Sequence, residues 1–287
     1  MPHLRNLNRK QSIGGTLRRA VNALTCLLVG LQWRTAPAPV APVYQTDIGQ
    51  QTTVILQDQS EVHLGGDTSV LVSDSPQFRT VHLQRGEIFA HVHHESDRPF
   101  EVVVNHLIAL DLGTAYDIST HESTSNVAVT EGQVRLFQRD DWGRQVDPIT
   151  VESGVYRRVP VILGPGDVAR IEQLEDGTVI VTRSPRSIEG AREHTEWLGG
   201  SMIASTRRLD EIVWAFNRYS HTPIVIDDPE VGAMLFTVGF RLDNINGLIE
   251  SLKLRYDVEI VKDAGGQPLS YHLKGIVADG GKKPRPR

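Results

Sequence analysis

LDEIVWAFNRY, Leu209 to Tyr219, is the stretch that decides how the rest of the chain is read. Its apolar residues Leu209, Ile212, Val213 and Phe216 fall at i, i+3, i+4 and i+7, one stripe of a 3.6-period helix. A second helix is expected after Asp243, which is placed to accept its free N–H groups, with Ile245, Leu248, Ile249 and Leu252 repeating the spacing. Between the two lie the β-branched and aromatic runs PIVI (Pro223 to Ile226) and LFTVGF (Leu235 to Phe240), separated by Asp227, Asp228 and Pro229. SMIA before the first helix and VEIV after the second complete a strand, helix, strand, strand, helix, strand order. This predicts a small split β-α-β module over residues 190–262, two layers that bury each other and leave sheet edges free for a partner strand. Neither helix carries a Ser/His/Asp, Cys/His or paired-carboxylate set on one face.

Working towards the N-terminus, residues 44–185 show no long helical pattern. Short alternating or β-branched runs recur instead, among them TTVILQ (Thr52 to Gln57), TVHL (Thr80 to Leu83), EIFAHV (Glu87 to Val92), FEVVV (Phe100 to Val104) and NVAVT (Asn126 to Thr130). Gly65-Gly66, Arg85-Gly86, Glu131-Gly132, Gly164-Pro165-Gly166 and Asp176-Gly177 supply turns between them. The implied fold class is mixed: an all-β domain, solenoid-like or sandwich-like, followed by the small α+β module. Asp140 to Pro160 reads as a polar, irregular loop, and residues 263–287 as a tail whose end is disordered.

Residues 1–34 hold six basic side chains and no acid, whereas residues 35–287 carry 24 basic against 35 acidic residues. An acidic body argues against broad nucleic-acid binding. Residues 1–19 read as a short basic cytoplasmic segment. Residues 20–34, with Ala20 to Trp33 apolar, read as a signal anchor or a signal peptide that sends the remainder across the membrane. TAPAPVAPV, residues 35–43, is an extended spacer. The single cysteine, Cys26, excludes an internal disulfide framework and multi-cysteine zinc sites.

Several stretches together resemble the FecR-type regulators of cell-surface signalling. IGQQTTVILQDQSEVHLGGDTSVLV (Ile48 to Val72), RTVHLQRGEIFAHVHHESDRPFEVVV (Arg79 to Val104), LGTAYDI (Leu112 to Ile118), VTEGQVRLF (Val129 to Phe137) and LGPGDVARI (Leu163 to Ile171) follow in the family's order. EWLGG, LDEIVWAFNRYSHTPIVIDD and FTVGFRLDNINGLIESL resemble the STN-like module of the same proteins. The resemblance implies a periplasmic receiver tethered to the inner membrane. Its partners would be the signalling domain of a TonB-dependent outer-membrane transporter, usually of an iron complex, and an extracytoplasmic-function sigma factor. Only about 19 residues precede the apolar run, too few for the helical sigma-binding domain of the family.

The resulting expectation is a non-enzymatic anti-sigma-like regulator that needs no cofactor and no metal and works by protein binding. Its candidate partner-binding residues are Trp214, Arg218, Leu235, Thr237 and Phe240. Trp214 sits one step off the apolar stripe, at the stripe edge or as an exposed anchor. Arg218 reads first as a local cap or pair and only second as a binding residue. Other chemistry was weighed on the residues. His91 and His93, with His94, Glu95 and Asp97 nearby, offer metal-ligand types. Glu87, Glu101, Asp111 and Asp117 suggest the carboxylates of a glycan- or peptidoglycan-interacting β protein. Asp67, Ser69, Ser73 and His82 lack the frame that a catalytic serine needs.

Overall fold

Strand β5 (Arg79–His91) is the spine of the β half. The computed structural model describes residues 41–254, 256–262 and 264–276. The expectations for the basic segment, the apolar run, Cys26, most of the proline-rich spacer and the end of the tail lie outside those residues. Before β5 come β1 (Val43–Gln45), β2 (Thr52–Ile55), β3 (Glu61–Leu64) and β4 (Ser69–Asp74). After it come β6 (Phe100–Val104), β7 (Leu107–Asp111), β8 (Ala115–His121), β9 (Thr124–Glu131), β10 (Val134–Arg139) and β11 (Gln145–Val146). The half ends with β12 (Ile149–Glu152), β13 (Val155–Arg158), β14 (Val161–Leu163), β15 (Val168–Gln173) and β16 (Val179–Arg183).

The first part of β5, up to Arg85, pairs with β4 and β6, and the part from Gly86 onward pairs with β3 and β8. One strand therefore serves two layers. In the first layer Val81, Val102, Ala109, Leu136 and Val161 stand opposite one another across five strands. In the second, Leu64, Ile88, Ile118, Val127 and Ala169 do the same. All ten are fully buried and belong to one contiguous core. Alternation of side chains along each strand fixes this register, since a one-residue slip would turn every core side chain outward.

Arg85-Gly86 is thus not a turn, as its composition suggested, but a bend inside a strand. Gly86 has φ +94°, and a Cβ there would collide with Thr68. The Thr68 hydroxyl accepts from Glu87 N at 3.1 Å and donates to the Glu87 carbonyl at 3.2 Å, which clamps the bend. The stretch Asp140 to Pro160 is likewise not irregular, because it carries β11 and the β12–β13 hairpin. Ser153 and Gly154 both have positive φ, the two-residue turn whose twist matches its flanking strands.

The remaining elements are α1 (Ile188–Glu193), a 3₁₀ turn (Glu196–Gly199), β17 (Ser201–Arg208), α2 (Leu209–Asn217), β18 (Ile224–Ile226), α3 (Pro229–Gly232), β19 (Leu235–Arg241), α4 (Ile245–Lys253), β20 (Tyr256–Lys262) and β21 (Pro268–Ile276). The expected order of strands and helices is present, with two additions. A one-turn helix, α3, starts at the Asp228 cap and Pro229. Part of the expected tail is strand β21, which inserts between β18 and β20, parallel to the first and antiparallel to the second. The strands form two small sheets, β17–β19 and β18–β21–β20, rather than one. Leu209, Ile212, Val213 and Phe216 of α2 and Leu248, Ile249 and Leu252 of α4 share a second core. The cap of α4 is Asn244, whose side chain accepts from Gly247 N, while Asp243 is drawn off by Arg241. Among the described residues no helix is long and apolar enough to cross a membrane.

Candidate functional site

The side chains of β5 at Glu87 and Phe89 and of β8 at Asp117 alternate with core residues Ile88 and Ile118, so they project from the outer face of the second layer. That face is covered by the α/β module. Phe89 packs against the module's core. Arg218, the residue that closes α2, is buried and its guanidinium is hydrogen-bonded and ion-paired to the Glu87 carboxylate. Its carbonyl accepts from Gly49 N at 2.9 Å. Gly66 lies so close that a Cβ would strike that carbonyl, so a small residue is required there. Trp197, in the 3₁₀ turn, donates its indole N–H to Asp117 Oδ2 at 2.9 Å, and Gln51 Nε2 donates to the Trp197 carbonyl at 2.8 Å. At the rim, Arg170 of β15 is ion-paired to Glu211 of α2.

This junction is charged, buried and incompletely satisfied. Burial, reinforced by Glu87, pushes the Asp117 carboxyl well above the usual carboxylate range against the pull of Trp197 and Arg218. Burial opposes charge on Arg218, but Glu87, Tyr219 and Asp117 outweigh it and raise its pKa. Buried His194 is pushed well below the ordinary histidine value, by burial first and Arg207 second. Asp117 Oδ1 and Arg218 Nε and Nη1 are buried with no hydrogen-bond partner among the described residues. A half-satisfied buried network fixes one docking geometry while contributing less stability than an apolar seam would. The arrangement therefore orients the module specifically.

The five residues singled out from sequence separate into two groups. Trp214 and Arg218 come together at the junction, with the guanidinium 4.5 Å from the indole centroid. Trp214 also stacks on His121 of the β half at 5.3 Å, beside a cleft of about 270 Å³ that includes Arg170 and Asp210. Arg218 thus faces the chain's own β half. Leu235, Thr237 and Phe240 lie on β19. That strand pairs with β17 on one side, and no strand among the described residues pairs with the other. Leu235 is 61% exposed. The Thr237 hydroxyl accepts from Thr206 N at 3.2 Å across a β-bulge. Phe240 turns inward and meets Phe216 of α2 at 5.7 Å between centroids. One helix therefore touches the open strand through Phe216 and the β half through Trp214 and Arg218.

Glu87, Glu101, Asp111 and Asp117 are at most 7% exposed. Glu87 is held by Arg218, Glu101 by Arg139 at 2.7 Å, and Asp111 by Gly113 N and the Thr114 hydroxyl. They do not meet as a pair facing a cleft. Glu95 is engaged by Arg98 at 3.0 Å, and no trio of His, Cys, Asp or Glu among the described residues is arranged to hold a metal. Asp67 bonds Arg85, and buried Ser69 bonds Gln84, so no serine triad forms. The part Glu87 and Asp117 play under the module escaped the sequence reading, as did Trp197 and Gln51. Glu87 and Arg218 are 131 positions apart. The one legible trace was Gly65-Gly66, read as a turn.

Comparison with known proteins adds the following. The family model described as FecR protein matches residues 42–135, the segment from β1 into β10 that holds Glu87 and Asp117. Two crystal structures of a protein described as a candidate anti-sigma factor from Parabacteroides distasonis ATCC 8503 are similar in fold. Their TM-scores are 0.63 and 0.62 at 16% identity, and each match covers 82% of this chain and 99% or 98% of theirs. The shared fold thus extends past the matched family segment. No curated protein sequence matches significantly.

Proposed function

We propose, from the match of residues 42–135 to the FecR protein model, that this chain is a FecR-type protein and a non-enzymatic signalling regulator of an extracytoplasmic-function sigma factor. It acts by protein binding, held outside the cytoplasm by the apolar run at residues 20–34. The incoming partner is the signalling domain of a TonB-dependent outer-membrane transporter, which adds a strand to the open edge of β19. Main-chain hydrogen bonds would supply the affinity, and the exposed Leu235 and Thr237 the selectivity. From β19 the change passes through Phe240 and Phe216 into α2, and from α2 through Arg218 to Glu87.

The observation that carries this reading is that a strand paired on one side only among the described residues is backed by the same helix whose end is locked into the β half. Residues 42–287 should bind the N-terminal signalling domain of a transporter encoded in the same genome. Hydrogen exchange should slow across Leu235–Arg241 in the complex. Absence of binding to every such domain, or protection elsewhere with β19 unchanged, overturns the reading.

A further inference from the structure

The β12–β13 hairpin stands apart from everything described so far. Apart from β13, β12 is held by only two pairs with β16, Ile149 with Ile180 and Thr150 with Val181. Every residue of β13 is exposed, with Val155 at 50% and Tyr156 at 65%. The strand pairs with β12 on one side, and no strand among the described residues pairs with the other. A four-residue hairpin with so little burial contributes almost nothing to a core and presents a row of unpaired backbone groups.

Its charges are also unmatched. Arg157 has no carboxylate within ion-pair distance among the described residues. Arg158 reaches only the Asp147 carbonyl, at 2.6 Å. Most other arginines of the β half are paired: Arg79 with Asp58, Arg85 with Asp67, Arg98 with Glu95, Arg139 with Glu101, Arg170 with Glu211 and Arg186 with Asp167. On a chain whose body is acidic, a strand edge that keeps its cations free is a departure.

We propose that the free edge of β13 is a second docking site, for an extended acidic segment of another protein, independent of the β19 edge. The charge pattern selects the occupant. A second copy of this chain pairing antiparallel over β13 would set Arg157 opposite Tyr156 and Arg158 opposite Val155, and would leave all four cations without a carboxylate. An acidic strand is complementary. Arg157 and Arg158 are consecutive, so they point to opposite faces of the hairpin, and a matching strand needs two consecutive carboxylates, one for each face. Opposite Val155, Tyr156 and Val159 it needs apolar residues. Read antiparallel, the complementary pattern is apolar, acidic, acidic, apolar, apolar.

The test uses the full chain and two labelled capped peptides, TVEEFVT and TVKKFVT, followed by fluorescence anisotropy and hydrogen exchange. The glutamate peptide should bind at least tenfold more tightly than the lysine peptide, weaken as salt is raised, and slow exchange at Val155–Val159. In the double variant Arg157→Glu, Arg158→Glu the preference should invert, and the exposed positions should leave its thermal midpoint near that of the parent chain. Equal binding of the two peptides to the unaltered chain, absence of binding, or protection confined to β19 would overturn the proposal. So would protection of β13 that grows with protein concentration alone, since that would identify a second copy as the occupant. The peptide comparison on the unaltered chain stands even if the double variant does not fold.

Discussion

Arg218, 3% exposed at the end of α2, gives its guanidinium to the carboxylate of Glu87, 5% exposed on β5. Two charges taken out of water and joined across two cores make a directional contact between the β half and the module. Desolvation offsets much of their attraction, so the pair secures a geometry more than it adds net stability.

Arg218→Met alone should therefore be costly, about 3–5 kcal/mol, because it strands the buried Glu87 carboxylate without its partner. The double variant Arg218→Met, Glu87→Met removes both charges and should recover most of that loss. Urea unfolding of the parent chain, Arg218→Met, Glu87→Met and the double variant gives the coupling energy directly. If the double variant is as unstable as the single one, packing rather than charge holds this seam.

Trp197 and Asp117 form the second fastening. Trp197→Phe keeps a smaller aromatic ring and deletes the only hydrogen bond that the Asp117 carboxylate receives among the described residues, so a cost of about 1–3 kcal/mol is expected. The loosening should be local. Proteolysis between residues 184 and 200 should accelerate before the β half responds, whereas uniform acceleration over the whole chain would contradict a local fastening.

Gly86→Ala should be far more damaging than its size suggests. It forces an alanine into φ +94°, which costs about 1–3 kcal/mol, and drives a methyl group into Thr68. Because Gly86 is where β5 passes between layers, the variant should lose strand signal in far-UV circular dichroism. Gly143→Ala, with positive φ but open space around it, is the control for backbone strain without collision.

These residues also show where sequence reading succeeds and where it stops. β6, FEVVV, was legible because every cue is local: β-branched composition, a five-residue length and flanking turns. The apolar stripe of α2 was legible for the same reason. β5 was read as two strands because glycine after arginine ordinarily reverses a chain, and only the clamp by Thr68, eighteen positions earlier, makes it a bend. β21, PLSYHLKGI, hides its core side chains Tyr271 and Leu273 among polar neighbours, and its partner β18 lies far back in the chain. The junction left almost no local trace, since each of its contacts joins residues far apart in the chain.

Asp111 supplies a prediction in pH. Burial pushes its carboxyl from 3.8 up to about 7 despite the bonds from Gly113 and Thr114 and the pull of Arg79. The folded state thus keeps a proton that the unfolded state releases near pH 4. The stability from this group is complete below that point, declines as pH rises to about 7, and stays flat above. The slope is at most about 1.4 kcal/mol per pH unit. Asp117, also raised by burial, acts in the same direction. Buried His194 acts oppositely, because the unfolded chain takes up its proton as pH falls below 6.5. The contribution of Asp111 is therefore read as a difference between the parent chain and Asp111→Asn. The variant should gain on the parent steadily between pH 5 and 7 and hold a constant margin from pH 7 to 8.5. Unfolding curves at half-unit intervals measure this, and a margin that does not change with pH would show that Asp111 is ionised in the folded chain throughout the range.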